Sequence, residues 1–120
     1  MKLRSAKLLA VARSGNEIVG VGSIKRVRTD RASGIADKSG FAFPAQTPEL
    51  GYVAVDPQHW RNGLSHRLVA ALLAGKQGGL FATTFDERMK KTLAAAGFTQ
   101  QGREWPGRNH QLSLWVEDLD

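Results

Sequence analysis

ELGYVAVDPQHWRNGLSHRLVAALL, residues Glu49 to Leu73, is the stretch whose reading decides the fold. Its first part, Leu50 to Val55, is an apolar run of strand length. Asp56-Pro57 stops it, because proline has no N–H to continue a ladder. A short polar loop with Arg61, Asn62 and Gly63 follows. From Leu64 the period changes: Leu64, Leu68 and Leu72 form one i,i+4 row and Val69 with Leu73 a second, together one face of a helix. A strand that passes through a glycine loop into a helix gathers free backbone N–H groups at the helix start, where phosphate is commonly held. The macrodipole there adds about 0.3–1 kcal/mol for an anion. Gly63 would let the anion approach the backbone without a Cβ in the way.

Upstream, Lys7 to Arg13 and Glu17 to Arg28 read as strands joined by a hairpin turn at Ser14-Gly15-Asn16. Ile18, Gly20, Gly22 and Ile24 share one face of the second strand, and Val19, Val21 and Ser23 the other. Gly20-Val21-Gly22 is not a dinucleotide fingerprint, since the third glycine would fall on Lys25 and no helix is expected to follow. Thr29 to Pro48 is long, polar and punctuated by Gly34, Gly40, Pro44 and Pro48, so it reads as a loop, either functional or a flexible insertion. Phe41 and Phe43 alternate with alanine, adding a short strand there or packing back.

Downstream, Lys76 to Gly79 turn the chain and Leu80 to Thr84 form a short strand. Thr84-Phe85-Asp86-Glu87 has the T-x-x-E spacing of a capping box, opening a helix that runs to Ala96. Phe85, Met89, Leu93 and Ala96 would be its buried stripe and Gly97 its left-handed stop. Phe98 to Trp105 and Gln111 to Val116 form a last hairpin around Pro106-Gly107. The expected order is β-β-β-α-β-α-β-β: an α+β (α/β) fold with a mixed, mostly antiparallel sheet and two helices.

At 120 residues the chain reads as one domain, residues 1–120, with 42% hydrophobic content suited to a packed core. The absence of cysteine excludes disulfides, thiol catalysis and thiolate metal sites. No leader or membrane span is read from the sequence, which makes the cytoplasm the expected location. The net charge of +6 sits in residues 1–40, where nine Lys/Arg face three Asp/Glu. Such a basic third suits either a solvated face or an acidic partner. His59, His66 and His110 lack ligand spacing, so no metal is expected.

The segment VDPQHWRNGLSHRLV resembles the acetyl-CoA-binding motif of the GNAT acetyltransferase superfamily. That motif is a strand ending V-x-P, two spacers, then [Q/R]-x-x-G-x-[G/A] leading into a helix. Val55, Pro57, Gly63, Leu64 and Leu68 match it; Trp60 stands where glutamine or arginine is usual and Ser65 where glycine or alanine is usual. AAAGF, ending at Phe98, is similar to the family's K-x-G-F helix ending. The resemblance spans roughly Lys7 to Val116 and lacks the family's usual first strand and two helices, which help wall the acceptor site. Either a second subunit, as in a homodimer, supplies that wall, or the site is open to a large acceptor, and a flap from Thr29 to Pro48 could close over it.

The resemblance implies transfer of acetyl from acetyl-CoA, a co-substrate, to a primary amine by direct attack on the thioester. The protein would hold both reactants, take a proton and stabilise the oxyanion. Backbone groups of Val53, Ala54 and Val55 would bind the pantetheine arm, and those of Trp60, Arg61, Asn62, Gly63, Leu64 and Ser65 the pyrophosphate. The side chains of Arg61 and Arg67 could add charge-assisted bonds, and Arg61 or His59 could offer the pyrophosphate the polar group that Trp60 does not. Glu49 stands where the family often places its general base, and by period two would share a face with Gly51, Val53 and Val55. A carboxylate at the edge of an apolar strand is partly desolvated, which strengthens it as a base. Tyr52 has the opposite parity and reads as core or wall. The family's frequent general acid, a tyrosine, is Leu93 here, and its frequent asparagine is Asp86. Two other readings follow from these departures and from the charge: a degenerate, non-catalytic CoA-binding or protein-interaction module, and a small nucleic-acid binder, which no aromatic-basic interleaving supports.

Overall fold

The computed structural model describes residues 6–76 and 78–119. A hairpin of β1 (Ala6–Ser14) and β2 (Glu17–Lys25) opens the fold. Helix α1 (Thr29–Ser39) follows, then β3 (Glu49–Val55) and α2 (Leu64–Gly75). The chain continues through β4 (Leu80–Thr84), α3 (Glu87–Ala95), β5 (Thr99–Pro106) and β6 (Gln111–Glu117). The strands form one sheet in the order β1-β2-β3-β4-β6-β5. Every neighbouring pair is antiparallel except β3 and β4, which α2 joins as a crossover. Among the described residues no helix is long and apolar enough to cross a membrane.

The mixed, mostly antiparallel sheet is as expected from the strand pattern, but three helices pack on it rather than two. Helix α1 lies in the segment that reads as a loop. Its sequence, TDRASGIADKS, carries one large apolar residue, Ile35, and a glycine in mid-helix, so no amphipathic stripe announces it. Tertiary contact makes the helix: Ile35 is buried in a cluster with Phe81, Trp105, Leu114 and Val116. Gly40 ends it in the left-handed region, its N–H donating to Ala36 O at 2.8 Å. Phe41 and Phe43 then pack back onto the same cluster, with Phe43 and Phe81 ring centroids 4.8 Å apart.

The other face of the sheet carries α2 and α3. Val69, Leu72 and Leu93 meet Ile24, Leu50, Leu80, Ala82 and Trp115 there, with Phe98 closing the cluster. Gly20 and Gly22 in β2 face α2, where an added Cβ would stand 3.1 Å from Leu68 Cδ1 and from Leu72 Cδ1 respectively. These glycines serve close packing of helix on sheet, not a nucleotide.

The start of α3 corrects the reading of its cap. The N-cap is Asp86, whose carboxylate accepts from Arg88 N at 3.0 Å, while Thr84 Oγ1 accepts from Asp86 N at 3.1 Å. Phe85 therefore precedes the helix instead of joining its stripe; it is half exposed and stacks on His110 at 4.2 Å. The docking of α1 can be tested at its anchor. Ile35→Ala is expected to lower the unfolding free energy by about 2–5 kcal/mol in a urea titration, and a loss below about 0.5 kcal/mol would show that α1 is not held by this contact.

Candidate functional site

Strands β3 and β4 form a single ladder pair, Glu49 opposite Phe81, and then separate. From there β3 stays with β2, where Val53, Ala54 and Val55 pair with Gly22, Val21 and Gly20, while β4 stays with β6. A bulge begins the divergence. Gly22 lies opposite Val53 and Ile24 opposite Leu50, so β3 carries one residue more than β2 across this step. Bulges bend a strand and increase its twist. This one, at Gly51 and Tyr52, follows Leu50, one residue beyond the last that β3 shares with β4.

The fork opens a cleft of about 680 Å³. Val53, Ala54 and Val55 line it from β3, Ser65 from α2, and Asp86, Arg88, Met89 and Thr92 from the start of α3 and the residue that caps it. The turn between β3 and α2 is a 3₁₀ helix, Pro57–Asn62, in place of the expected open loop, with the Asp56 carboxylate accepting from Gln58 N at 3.0 Å. Gly63 at φ 70° ends that turn and is the N-cap of α2, and among the described residues no side-chain hydrogen bond caps that helix. A Cβ built on Gly63 would meet nothing within 4 Å, so the position is open to a ligand and restricted by its backbone angle alone.

Trp60 fastens the turn to the strand. Its Nε1 donates to Val55 O at 2.7 Å, and its half-exposed ring carries the Arg88 guanidinium 5.2 Å from the centroid. A cation–π contact at such an exposed site contributes about 0.5–1 kcal/mol. Among the described residues that line the cleft, the cation is Arg88 of α3. Arg88 gave no sequence signal as a site residue, because only the approach of α3 to the fork brings it to Trp60. The side chains of Arg61 and Asn62 lie outside the described residues. Asp86, expected at the helix start, does line the cleft. Leu93 is fully buried among core residues and away from the cleft lining.

Glu49 lies elsewhere. The bulge breaks the period-two rule, so Leu50 and Val53 both pack on the α2 side while Glu49 faces α1. Glu49 and Val53 therefore do not share a face. Gly51 and Tyr52 both stand opposite Ser23 at the bulge, and a Cβ on Gly51 would meet Ser23 Oγ, which places the pair on the side of Glu49. Tyr52, expected in the core or a wall, is 42% exposed there. Glu49 itself is only 4% exposed. Arg31 of α1 reaches it with both prongs, Nε to Oε1 at 3.1 Å and Nη2 to Oε2 at 2.8 Å, and Lys25 Nζ stands 3.9 Å from Oε1. The hydrogen bond to Glu49 outweighs desolvation and raises the Arg31 pKa above its ordinary value, so its charge persists throughout the working pH range. Among the described residues no group of three His, Asp or Glu side chains is placed to hold a metal.

The sequence model of the acetyltransferase (GNAT) family matches residues 2–102, a span that includes the forked pair β3 and β4 and the start of α2. The chain belongs to the GNAT acetyltransferase family. Solved structures agree on the fold. A GNAT acetyltransferase of Streptococcus agalactiae superposes with a TM-score of 0.71 at 13% identity, over 92% of this chain and 64% of that one. The acetyltransferase of Bacillus subtilis, solved in complex with CoA, gives 0.69 at 16% identity, over 98% and 80%. The yncA protein of Salmonella typhimurium, solved with its cofactor acetyl-CoA, gives 0.65 at 21% identity, over 93% and 64%. The chain thus spans less than two thirds of the length of the Streptococcus and Salmonella proteins. No curated protein matches it.

The Trp60 latch can be tested in this GNAT chain without any ligand. Trp60→Phe keeps a ring beneath Arg88 and removes the donor to Val55 O. Its expected cost is about 0.5–1.5 kcal/mol in chemical denaturation. A variant as stable as the parent would show that the indole N–H does not hold the turn.

Proposed function

We propose that this protein is an acetyl-CoA-dependent N-acetyltransferase that acts on a primary amine by direct attack within a ternary complex. The observation that carries the reading is the fork: Val53 to Val55 pair with β2 on one side and edge the cleft on the other, where β4 has parted from them, and the start of α2 adjoins it. The relatives solved with acetyl-CoA or CoA share this fold, which supports the same ligand here. The cleft suits such a molecule. Its β3 edge offers a backbone for a polar arm, the α2 start and the Arg88 cation suit phosphates, and Met89 gives an apolar contact.

In the reaction the amine nitrogen attacks the thioester carbonyl carbon, a C–N bond forms, and the C–S bond breaks to release CoA thiolate. The amine loses a proton, and the thiolate gains one from solvent. Glu49 is the proton acceptor in this reading, on the α1 side of the sheet near the root of the fork. Both its oxygens already accept from Arg31, so that contact must loosen or be shared as the proton moves. The backbone N–H groups between Val53 and Val55 that point away from β2 would polarise the carbonyl, an electrostatic role that needs preorganised donors rather than particular side chains.

A second reading, a non-catalytic CoA-binding module, draws on two features. Leu93 is buried where the family's acid would stand, and Glu49 is clasped by a guanidinium. Turnover separates the readings. Calorimetry with acetyl-CoA, with ATP as the control, is expected to show binding that ATP does not match. Glu49→Gln should keep that binding while slowing amine acetylation by about 10²–10⁴-fold. Gly63→Val, β-branched at a left-handed position, should weaken acetyl-CoA binding at least tenfold, a loss of about 1.4 kcal/mol or more. Normal turnover by both variants would refute this mechanism, and acetyl-CoA binding without turnover of any amine would favour the module.

A further inference from the structure

The surroundings of Glu49 carry an excess of positive charge that its own neutralisation does not use up. Lys25 and Arg31 both converge on this one carboxylate. Arg31 also lines a groove of about 390 Å³ along α1, together with Arg28, Asp30, Ile35 and Lys38. Asp30 is committed to Arg28, with Oδ1 and Oδ2 each at 3.2 Å. Of the three cations that line the groove, Arg28 is offset by Asp30 and Arg31 by Glu49, which leaves the charge of Lys38 there, and Lys25 adds a second positive charge beside Glu49. Such a field repels a polycationic amine and draws an anion.

Arg31 is placed to serve both groups. It is half exposed and commits Nε and Nη2 to Glu49, so the N–H groups of Nη1 remain directed away from that carboxylate. A guanidinium engaged along one edge can take a second carboxylate along the other. The clasp on Glu49 also restricts the nucleophile. A base whose two oxygens are occupied suits an amine that gives up its proton more readily: an α-amino group, with a pKa of about 7.7–8.0, rather than a lysine ε-amine near 10.4.

We propose that the acceptor is an α-amine carrying a carboxylate within a few bonds of it, and that Arg31, Arg28 and Lys38 select it by that carboxylate. This rests on the transferase reading above and narrows it. A free acidic amino acid and a peptide beginning with an acidic residue share this chemistry. Helix α1, inserted between β2 and β3, becomes the specificity element, and Arg31 orients substrate and base from one side chain.

The test is CoA release by the purified chain with five acceptors: aspartate, an Asp-Ala dipeptide amide, alanine amide, Nα-acetyl-lysine amide and spermidine. Aspartate or the dipeptide is expected to exceed the other three in kcat/KM by about tenfold or more. Whichever of the two leads identifies the source as free amino acid or peptide. The double variant Arg28→Glu, Lys38→Glu alters exposed side chains, so it should fold like the parent. It should raise KM for the preferred acceptor about tenfold and leave kcat and acetyl-CoA affinity unchanged. Preference for spermidine, alanine amide or Nα-acetyl-lysine amide, or a KM indifferent to the double variant, would overturn the acceptor assignment and leave the transferase standing. Acetyl-CoA binding without turnover of any of the five would overturn both.

Discussion

Strands that part after a single ladder pair impose a constraint that the rest of this structure accommodates. Past Glu49 and Phe81, neighbouring backbones that could have bonded to each other cannot. Polar backbone groups without partners are tolerated where solvent or a ligand can reach them, so the fork must be open. The sheet is consequently two three-stranded halves, β1-β2-β3 and β4-β6-β5. An apolar cluster holds them together where hydrogen bonds do not. Ile24 and Leu50 come from one half, Leu80, Ala82 and Trp115 from the other, and Val69 and Leu72 of α2 lie across both. Burial at roughly 25 cal/mol per Å² is non-directional, so it can span a gap that a directional ladder cannot.

The opposite face is built differently. There α1 covers β5 and β6 through Ile35, and its first turn reaches the root of the fork through Arg31. Removing the half-exposed Arg31 would leave the buried Glu49 carboxylate with only the more distant Lys25 beside it, and the two-pronged contact also fixes the carboxylate's direction. Helix α1 is thus fastened in its first turn by charge and near its middle by apolar packing. Glu49 and a helix that is hard to read in the sequence depend on each other.

What the sequence revealed and what it hid divide along one physical line. The strand–turn–helix from Glu49 to Leu73, both hairpins and the short strand at Leu80 repeat apolar residues with a clear period or carry turn residues at fixed offsets, and these were legible. Features set by contact between distant segments were not. Helix α1 has too few apolar residues to show a stripe and forms because Phe81, Trp105 and Leu114 await Ile35. The bulge at Gly51 and Tyr52 leaves no trace in ELGYVAV, yet it reverses which residues accompany Glu49. Arg88 looks like any first-turn residue until α3 meets Trp60. The cap at α3 was misread for a local reason: both Thr84 and Asp86 can cap, and the chain uses Asp86. Sequence reasoning therefore found the cleft's floor and missed its far wall.

The fork has one more consequence, for the folded state itself. It is a defect in an otherwise continuous sheet, and a guest with amide groups along an extended arm can mend it by standing in for the absent stretch of strand. Such a guest would be structural cement as well as cargo. Bound at a hundred times its dissociation constant, it would add about 2.7 kcal/mol to the stability of the whole chain. The two half-sheets would then exchange their backbone hydrogens more slowly as a unit, so the chain's firmness would register how much of its ligand is present.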